Sequence, residues 1–177
     1  RFIMDHLNAL SLHERGLSGR GVTIAILDTG FHQDHECLTD VDVIAAWDFV
    51  NDDGIVADQK NDPVGASDHG TEVLGMIAGY RAGSLIGPAY GASYILAKTE
   101  DISGETRVEE DNWIAALEWA VGLGADIVNS SVGYYSWYQW SDMDGGTAPI
   151  TVAADMAVAR GTVVITSMGN TRYNPDW

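Results

Sequence analysis

The 177-residue chain is long enough for one domain with a hydrophobic core, and its 46% hydrophobic content excludes a disordered chain. Twenty-six acidic residues against nine basic ones give a formal net charge of −17, and such a surface repels nucleic acid and anionic lipid. No apolar run approaches the roughly 18 residues that a membrane span needs, so we expect no spanning segment.

Short apolar segments, taken in chain order, predict five β-strands. The first, at residues 22–27, is a continuous apolar run, which is typical of a strand buried on both faces. A polar segment rich in Asp, Gly and Asn, residues 51–68, predicts a long loop. The other strands are predicted within residues 41–50, 92–99, 125–132 and 162–167.

Helical segments separate several of these strands. We predict helices at about residues 70–79, within 108–124, where Trp113 and Leu117 share an apolar face, and at 148–161. Strands that alternate with helices predict an α/β fold, in which a parallel sheet is flanked by helices on both faces.

Polar residues follow three of the predicted strands. Asp28 ends the first strand, residues 129–133 (NSSVG) close the fourth, and Asn170 follows the fifth. Because ligand sites in such sheets form beyond the carboxyl ends of the strands, we expect all three places to lie at one edge. His69, at the start of the first predicted helix, is a candidate fourth member.

Asp28, His69 and Asn170 offer three separable chemical roles. A carboxylate can hold an imidazole in one tautomer, and the imidazole can take and return a proton. A carboxamide can donate a hydrogen bond to a developing oxyanion. Acyl transfer needs these roles together with a nucleophile.

From about residue 20 to its end, the chain resembles the subtilisin-like serine proteases. The resemblance is carried by AILDTG (25–30), HGTEVLGMIAG (69–79), VNSSVG (128–133), with Val132 in place of the family's leucine, and ITSMGN (165–170). These motifs stand in the family's order. The resemblance implies that residues 1–177 are the N-terminal portion of a single peptidase catalytic domain whose fold is incomplete at its C-terminus.

The resemblance also implies roles for individual residues. Asp28 would orient and stabilise His69, His69 would act as general base and then acid, and Asn170 would donate to the oxyanion. Ser131, Val132 and Gly133 would bind the substrate backbone as an added strand, and Ser167, Met168 and Gly169 would line part of the primary specificity pocket. Polypeptide substrates and a secreted or cell-envelope location follow from the same resemblance.

The helix after His69 carries more glycine than helix stability favours, because each interior glycine costs about 1 kcal/mol relative to alanine. We expect Gly70, Gly75 and Gly79 to let this helix approach neighbouring backbone closely.

The nucleophile is missing from the pattern. The family places its serine in Gly-Thr-Ser-x-Ala, and no serine of this sequence has that context. A truncated chain, one fragment of a nicked enzyme, or a natural protein without the nucleophile would each explain this. In the second case the partner would be the C-terminal fragment that carries the serine.

The sequence predicts no certain cofactor or metal. Calcium is possible, but no matched ligands support it: Cys37 stands where the family has a ligand, and residues 80–93 lack acidic side chains. The Asp-rich segments 51–68 and 141–146 could hold a cation, although plain turns are favoured. His32, His35 and Cys37 match no zinc pattern.

Two classes of function remain open at this point. The first is a serine endopeptidase that acts through an acyl-enzyme, with its serine outside these residues. The second is a non-catalytic peptide-binding homologue that lacks the nucleophile. A nucleotide-binding domain is disfavoured, because no Gly-x-Gly-x-x-Gly follows a strand.

Overall fold

The computed structural model describes residue 4 and residues 7–170. Its helices are α1 (Ala9–Glu14), α2 (Asp68–Ala78), α3 (Arg107–Gly122) and α4 (Pro149–Ala159), with a 3₁₀ turn at Trp140–Asp142. Its strands are β1 (Thr23–Asp28), β2 (Asp42–Asp48), β3 (Tyr80–Arg81), β4 (Leu85–Ile86), β5 (Ser93–Lys98), β6 (Ile127–Ser130) and β7 (Val163–Thr166). None of the helices in this described part has the length and apolarity to cross a membrane.

Five of the strands form one sheet, in the order β2-β5-β1-β6-β7, and every neighbouring pair in it is parallel. Each of these strands lies within or overlaps a segment that the sequence predicts to be a strand, so the predicted parallel sheet is confirmed. The strand ends at Asp28, Lys98, Ser130 and Thr166 therefore meet at one edge of the sheet.

Two hydrophobic clusters cover the two faces of this sheet, because successive residues of a strand point to opposite sides. Ala25 and Leu27 face the cluster that includes Trp113 and Leu117, which lie on the apolar face of α3 that the sequence predicts. Ile24 and Ile26 face the cluster that includes Leu74 and Ala78 of α2. Helices on both faces are thereby confirmed.

The sequence patterns do not predict α1, the 3₁₀ turn or the hairpin of β3 and β4. The hairpin strands are two residues long, which is too short for any alternation to show. The turn between them contains Gly83, whose φ of 83° is a left-handed conformation that glycine adopts readily.

The glycines of α2 differ in what their missing side chains allow. A Cβ on Gly70 would lie 2.2 Å from the carbonyl oxygen of Gly30, and one on Gly79 would lie 2.4 Å from the carbonyl oxygen of Gly75. A Cβ on Gly75 itself would meet no such neighbour within 4 Å. The expectation of close approach to neighbouring backbone is confirmed for Gly70 and wrong for Gly75, whose surroundings leave space for a methyl group. For Gly79, which follows the last residue of α2, the nearest atoms belong to the preceding turn of the same helix and to the Leu85 side chain.

This difference predicts opposite results for two matched substitutions. Gly70→Ala forces the first turn of α2 away from the end of β1, so we expect the free energy of unfolding to fall by about 1–3 kcal/mol. Gly75→Ala places a better helix former in open space, so we expect no loss and a gain of up to about 1 kcal/mol. Urea denaturation measures both, and equal losses would show that Gly70 has no special steric role.

Candidate active site

Asp28 and His69 form a direct contact at the carboxyl edge of the sheet. Asp28 is the last residue of β1 and is fully buried, whereas the side chain of His69, in the first turn of α2, is 50% exposed. The His69 Nδ1 lies 2.6 Å from the Asp28 Oδ1. Because a carboxylate oxygen only accepts, Nδ1 carries the proton in this contact, and Nε2 remains for other chemistry.

Hydrogen bonds hold the turn after β1 against the start of α2. The backbone N–H of Thr29 donates to Asp28 Oδ1 at 2.8 Å, and that of His32 donates to Thr71 Oγ1 at 2.8 Å. Asp28 Oδ2 is buried and finds no hydrogen-bond partner among residue 4 and residues 7–170. Among the described residues, the hydrogen bonds to the Asp28 carboxylate are therefore all made at Oδ1, the oxygen that contacts the imidazole.

A groove of about 520 Å³ runs along this edge and contains His69. We call it the active-site groove. It holds seven of the residues that the sequence predicts for the site, namely His69, Ser131, Val132, Gly133, Ser167, Gly169 and Asn170. Its other lining residues are Thr29, Glu100, Asp101, Ile102, Gly104, Glu105, Glu109 and Tyr135. Asp28 reaches the groove through His69.

A second cavity of about 470 Å³ adjoins the groove at Val132, Gly133, Tyr135, Ser167 and Gly169. We call it the apolar cavity. Met168 lines this cavity and not the groove, and Asp155 is the only acidic residue in its described lining. The aromatic segment 134–140 contributes Tyr134, Tyr135 and Trp140 to the wall. Ser167, Met168 and Gly169 all line the apolar cavity, and their role in a specificity pocket stays a prediction.

Four carboxylates, of Glu100, Asp101, Glu105 and Glu109, line one side of the groove. We call them the acidic wall. Glu109 accepts hydrogen bonds from the backbone N–H groups of Thr106 and Asp101 at 2.7 and 3.1 Å, so it caps α3. None of the sequence motifs predicts this wall, although the segment EDISGETRVEE, which begins two residues after the end of β5, is visibly rich in acidic residues.

Glu100 is the member of the acidic wall whose pKa is raised most clearly. It is 7% exposed and accepts hydrogen bonds from the hydroxyls of Thr99 and Tyr134. Burial raises the pKa of Glu100 to about 7, and repulsion from Glu109 and Glu105 adds to this, while the two hydroxyls oppose it. Burial also raises the pKa of Glu109.

The Asp-rich loop 51–68 is organised around an ammonium group. The buried Lys98 Nζ lies 2.6 Å from Asp62 Oδ2 and 3.0 Å from Asp48 Oδ2. Burial alone would lower the pKa of Lys98, but the hydrogen bonds to Asp62 and Asp48 outweigh it, and the pKa is raised. The positive charge that two of the aspartates in and beside this loop contact is therefore the Lys98 ammonium group.

The other candidate metal positions lie outside the groove. Asp144 Oδ1 accepts the backbone N–H groups of Gly146 and Thr147, as in a plain turn. His35 Nδ1 contacts Cys37 Sγ at 3.1 Å. In the part of the chain that the structure describes, no three His, Cys, Asp or Glu side chains are grouped to hold a metal ion.

The fold is that of a subtilisin-like serine protease, and the sequence comparison agrees. The model of the subtilase family matches residues 19–176, so the chain belongs to this family. The resemblance that the sequence motifs carry is thereby confirmed.

Individual relatives show how far the likeness extends. The minor extracellular protease Vpr of Bacillus subtilis is 31% identical over 175 residues, which are 96% of this chain and 20% of Vpr. Subtilisin E of the same organism is 31% identical over 169 residues, which are 94% of this chain and 39% of that protein. This chain therefore spans one fifth to two fifths of these relatives.

A solved structure agrees with the fold. Fervidolysin of Fervidobacterium pennivorans, a keratinolytic enzyme related to subtilisin, has a TM-score of 0.67 and 28% identity. The match covers 93% of this chain and 23% of that one.

The buried Glu100 predicts a pH-dependent gain in stability for Glu100→Gln. With a folded pKa of about 7 against an ordinary 4.5, the folded state keeps its proton longer than the unfolded state. The wild type therefore loses stability as pH rises from 4.5 to 7. We expect Glu100→Gln to be up to about 3 kcal/mol more stable than the wild type at pH 8 and nearly equal to it at pH 4.

Denaturant unfolding at the two pH values measures this difference. Glu118→Gln, on an exposed face of α3, removes the same charge away from the groove and serves as the control. A Glu100→Gln difference that stays constant with pH would show that Glu100 ionises normally.

Proposed function

We propose that residues 1–177 form the N-terminal part of a subtilisin-like catalytic domain, and that the complete domain hydrolyses peptide bonds through an acyl-enzyme. The contact between Asp28 and His69, opening into a groove that Asn170 also lines, is the observation that carries this proposal. The nucleophilic serine would come from polypeptide outside these residues, in the same chain or in a C-terminal fragment. Residues 1–177 alone would then be inactive.

The proposed mechanism assigns one step to each group. His69 Nε2 takes the proton from the serine hydroxyl as its oxygen attacks the scissile carbonyl, and then gives it to the leaving amine. Asp28 stabilises the imidazolium that forms between these two transfers. The Asn170 carboxamide donates to the oxyanion of the tetrahedral intermediate. Water repeats the sequence on the acyl-enzyme and releases the acid.

Unpaired backbone supports a polypeptide as the substrate. Within residues 7–170, the backbone N–H and C=O groups of Val132, Gly133 and Ile102 make no hydrogen bond with other backbone groups. Val132 and Gly133 follow β6, Ile102 follows β5, and all three line the active-site groove. An extended peptide that satisfies such groups binds as an added strand.

The apolar cavity supports a preference for a large apolar side chain beside the scissile bond. Val132, Tyr134, Trp140 and Ile150 give it mostly hydrophobic walls, and burial of an apolar side chain in such walls is favourable. Ser167, Met168 and Gly169 would form its rim on the side of Asn170. The alternative of a peptide-binding homologue would use the same surfaces without the chemistry.

We also propose that the protein acts outside the cytoplasm. The support is the name of one relative, the minor extracellular protease Vpr. The net charge of −17 argues against nucleic acid as a partner.

The mechanism predicts distinct losses from two substitutions in the full-length protein that carries residues 1–177. His69→Ala removes the base, so we expect peptide hydrolysis and labelling by a fluorophosphonate probe both to disappear. Asn170→Ala removes one oxyanion donor, so we expect kcat to fall by about 10²–10³-fold, the range that applies to subtilisin itself. Hydrolysis of a fluorogenic peptide measures kcat.

Matched controls are available outside the groove. His35→Ala and Asn61→Ala remove the same side-chain types from positions that do not line it, and both should retain labelling and hydrolysis. A wild type that binds peptides but is never labelled would contradict the peptidase and favour the binding homologue.

A further inference from the structure

We propose that the acidic wall selects polypeptides that carry a lysine or arginine, at a position different from the residue seated in the apolar cavity. This inference rests on the proposed function of the groove as a peptide site, and it adds the chemical class of the substrate. Neither the sequence motifs nor the family comparison assigns a role to these four carboxylates.

The acidic wall carries charge that no ion pair compensates among the described residues. None of the ion pairs among the described residues involves Glu100, Asp101, Glu105 or Glu109. Among the described residues that line the groove, His69 is the only one that can become cationic. The nearest contrast is Lys98, which neutralises Asp48 and Asp62 at the adjoining strand ends. The groove thus keeps a negative field that a substrate cation can offset.

Two members of the acidic wall, Asp101 and Glu105, are exposed to a ligand in the groove. Glu100 and Glu109 are buried and occupied with hydroxyl and backbone donors inside the protein. Asp101 and Glu105 are exposed in the groove. Asp101 accepts one local hydrogen bond, from the backbone N–H of Ser103 to its Oδ1. These two carboxylates can therefore receive an ammonium or guanidinium group.

The backbone of the same segment also favours a peptide as the ligand, independently of charge. Ile102 lies between the two exposed carboxylates, is 47% exposed, and has backbone groups that no described backbone group satisfies. Val132 and Gly133 present the same kind of unsatisfied backbone within the groove. A peptide that pairs with Ile102 brings its side chains next to Asp101 and Glu105.

The order of the sheet separates the acidic wall from the apolar cavity. The acidic wall follows β5, whereas the cavity lies beyond the ends of β6 and β7, and β1 stands between β5 and β6. Neighbouring strands are about 4.8 Å apart, so the ends of β5 and β6 are about 10 Å apart. The two regions touch inside the protein, where the Tyr134 hydroxyl donates to Glu100, but the exposed Asp101 and Glu105 are not among the residues that line the cavity. The basic residue is therefore a second specificity element.

A peptide series tests this directly. Each fluorogenic peptide has one apolar anchor residue and a single lysine, which is moved through all the remaining positions across the series. A control peptide with norleucine in place of that lysine accompanies each one. With the full-length protein that carries residues 1–177, we expect kcat/KM to favour lysine by about tenfold at one or two positions, because several carboxylates act in one groove. The preference should weaken as salt is raised.

Charge-matched double variants locate the source of the preference. In Asp101→Asn/Glu105→Gln, we expect the lysine-to-norleucine ratio to fall to about twofold or less. In Asp111→Asn/Glu118→Gln, which removes two exposed charges from α3 outside the groove, the ratio should stay near tenfold. A ratio near one at every position, or a ratio that Asp101→Asn/Glu105→Gln leaves unchanged, would overturn the proposal.

A binding measurement separates this inference from the peptidase proposal. Fluorescence anisotropy with the same peptide pairs gives Kd ratios in the His69→Ala background, where the peptide is not consumed. If lysine peptides bind preferentially but the wild type does not hydrolyse them, the role of the acidic wall is supported and the peptidase proposal is contradicted. If the wild type hydrolyses both members of every pair at equal rates, the peptidase proposal is supported and the role of the acidic wall is contradicted.

Discussion

The hydrogen bond between His69 Nδ1 and Asp28 Oδ1 is the interaction on which the site depends. It joins the buried end of a strand to the first turn of a helix on one face of the sheet. The backbone of the helix comes very close to the turn after β1 there, because a Cβ on Gly70 would lie 2.2 Å from the carbonyl oxygen of Gly30. Because the ring is held through Nδ1, its Nε2 is left for contacts in the groove, which is lined by residues that follow the strand ends.

Charge is distributed unevenly along this edge of the sheet. At β2 and β5 the chain supplies its own cation, because Lys98 lies between Asp48 and Asp62 and fixes the loop that leads to α2. A few residues further on, the acidic wall has no such cation among the described residues. Burial and mutual repulsion raise the pKa of Glu100 there. The Lys98 ion pairs stabilise the fold, whereas the acidic wall leaves a negative electrostatic field that can attract a ligand.

The sequence predicts well those features that one continuous segment determines. Buried strands such as residues 23–28 are apolar runs, and the residue that ends each strand marks the edge where Asp28 and Asn170 lie. The family resemblance implies one contact between distant residues, that of Asp28 with His69, but the sequence patterns do not predict other contacts of this kind. Lys98 meets Asp62 across 36 positions, and Tyr134 meets Glu100 across 34. Gly75 shows the opposite error, because a glycine in a helix does not by itself reveal what packs against it.

The tautomer of His69 is the most direct test of this account. Nitrogen-15 NMR of the ring, assigned by comparison with His69→Ala, reports which nitrogen carries the proton once the ring is neutral. The account predicts a proton on Nδ1 in the wild type and its transfer to Nε2 in Asp28→Asn, because the accepting carboxylate is then gone. The same tautomer in both proteins would show that Asp28 does not hold the imidazole, and the proposed chemistry would lose its base.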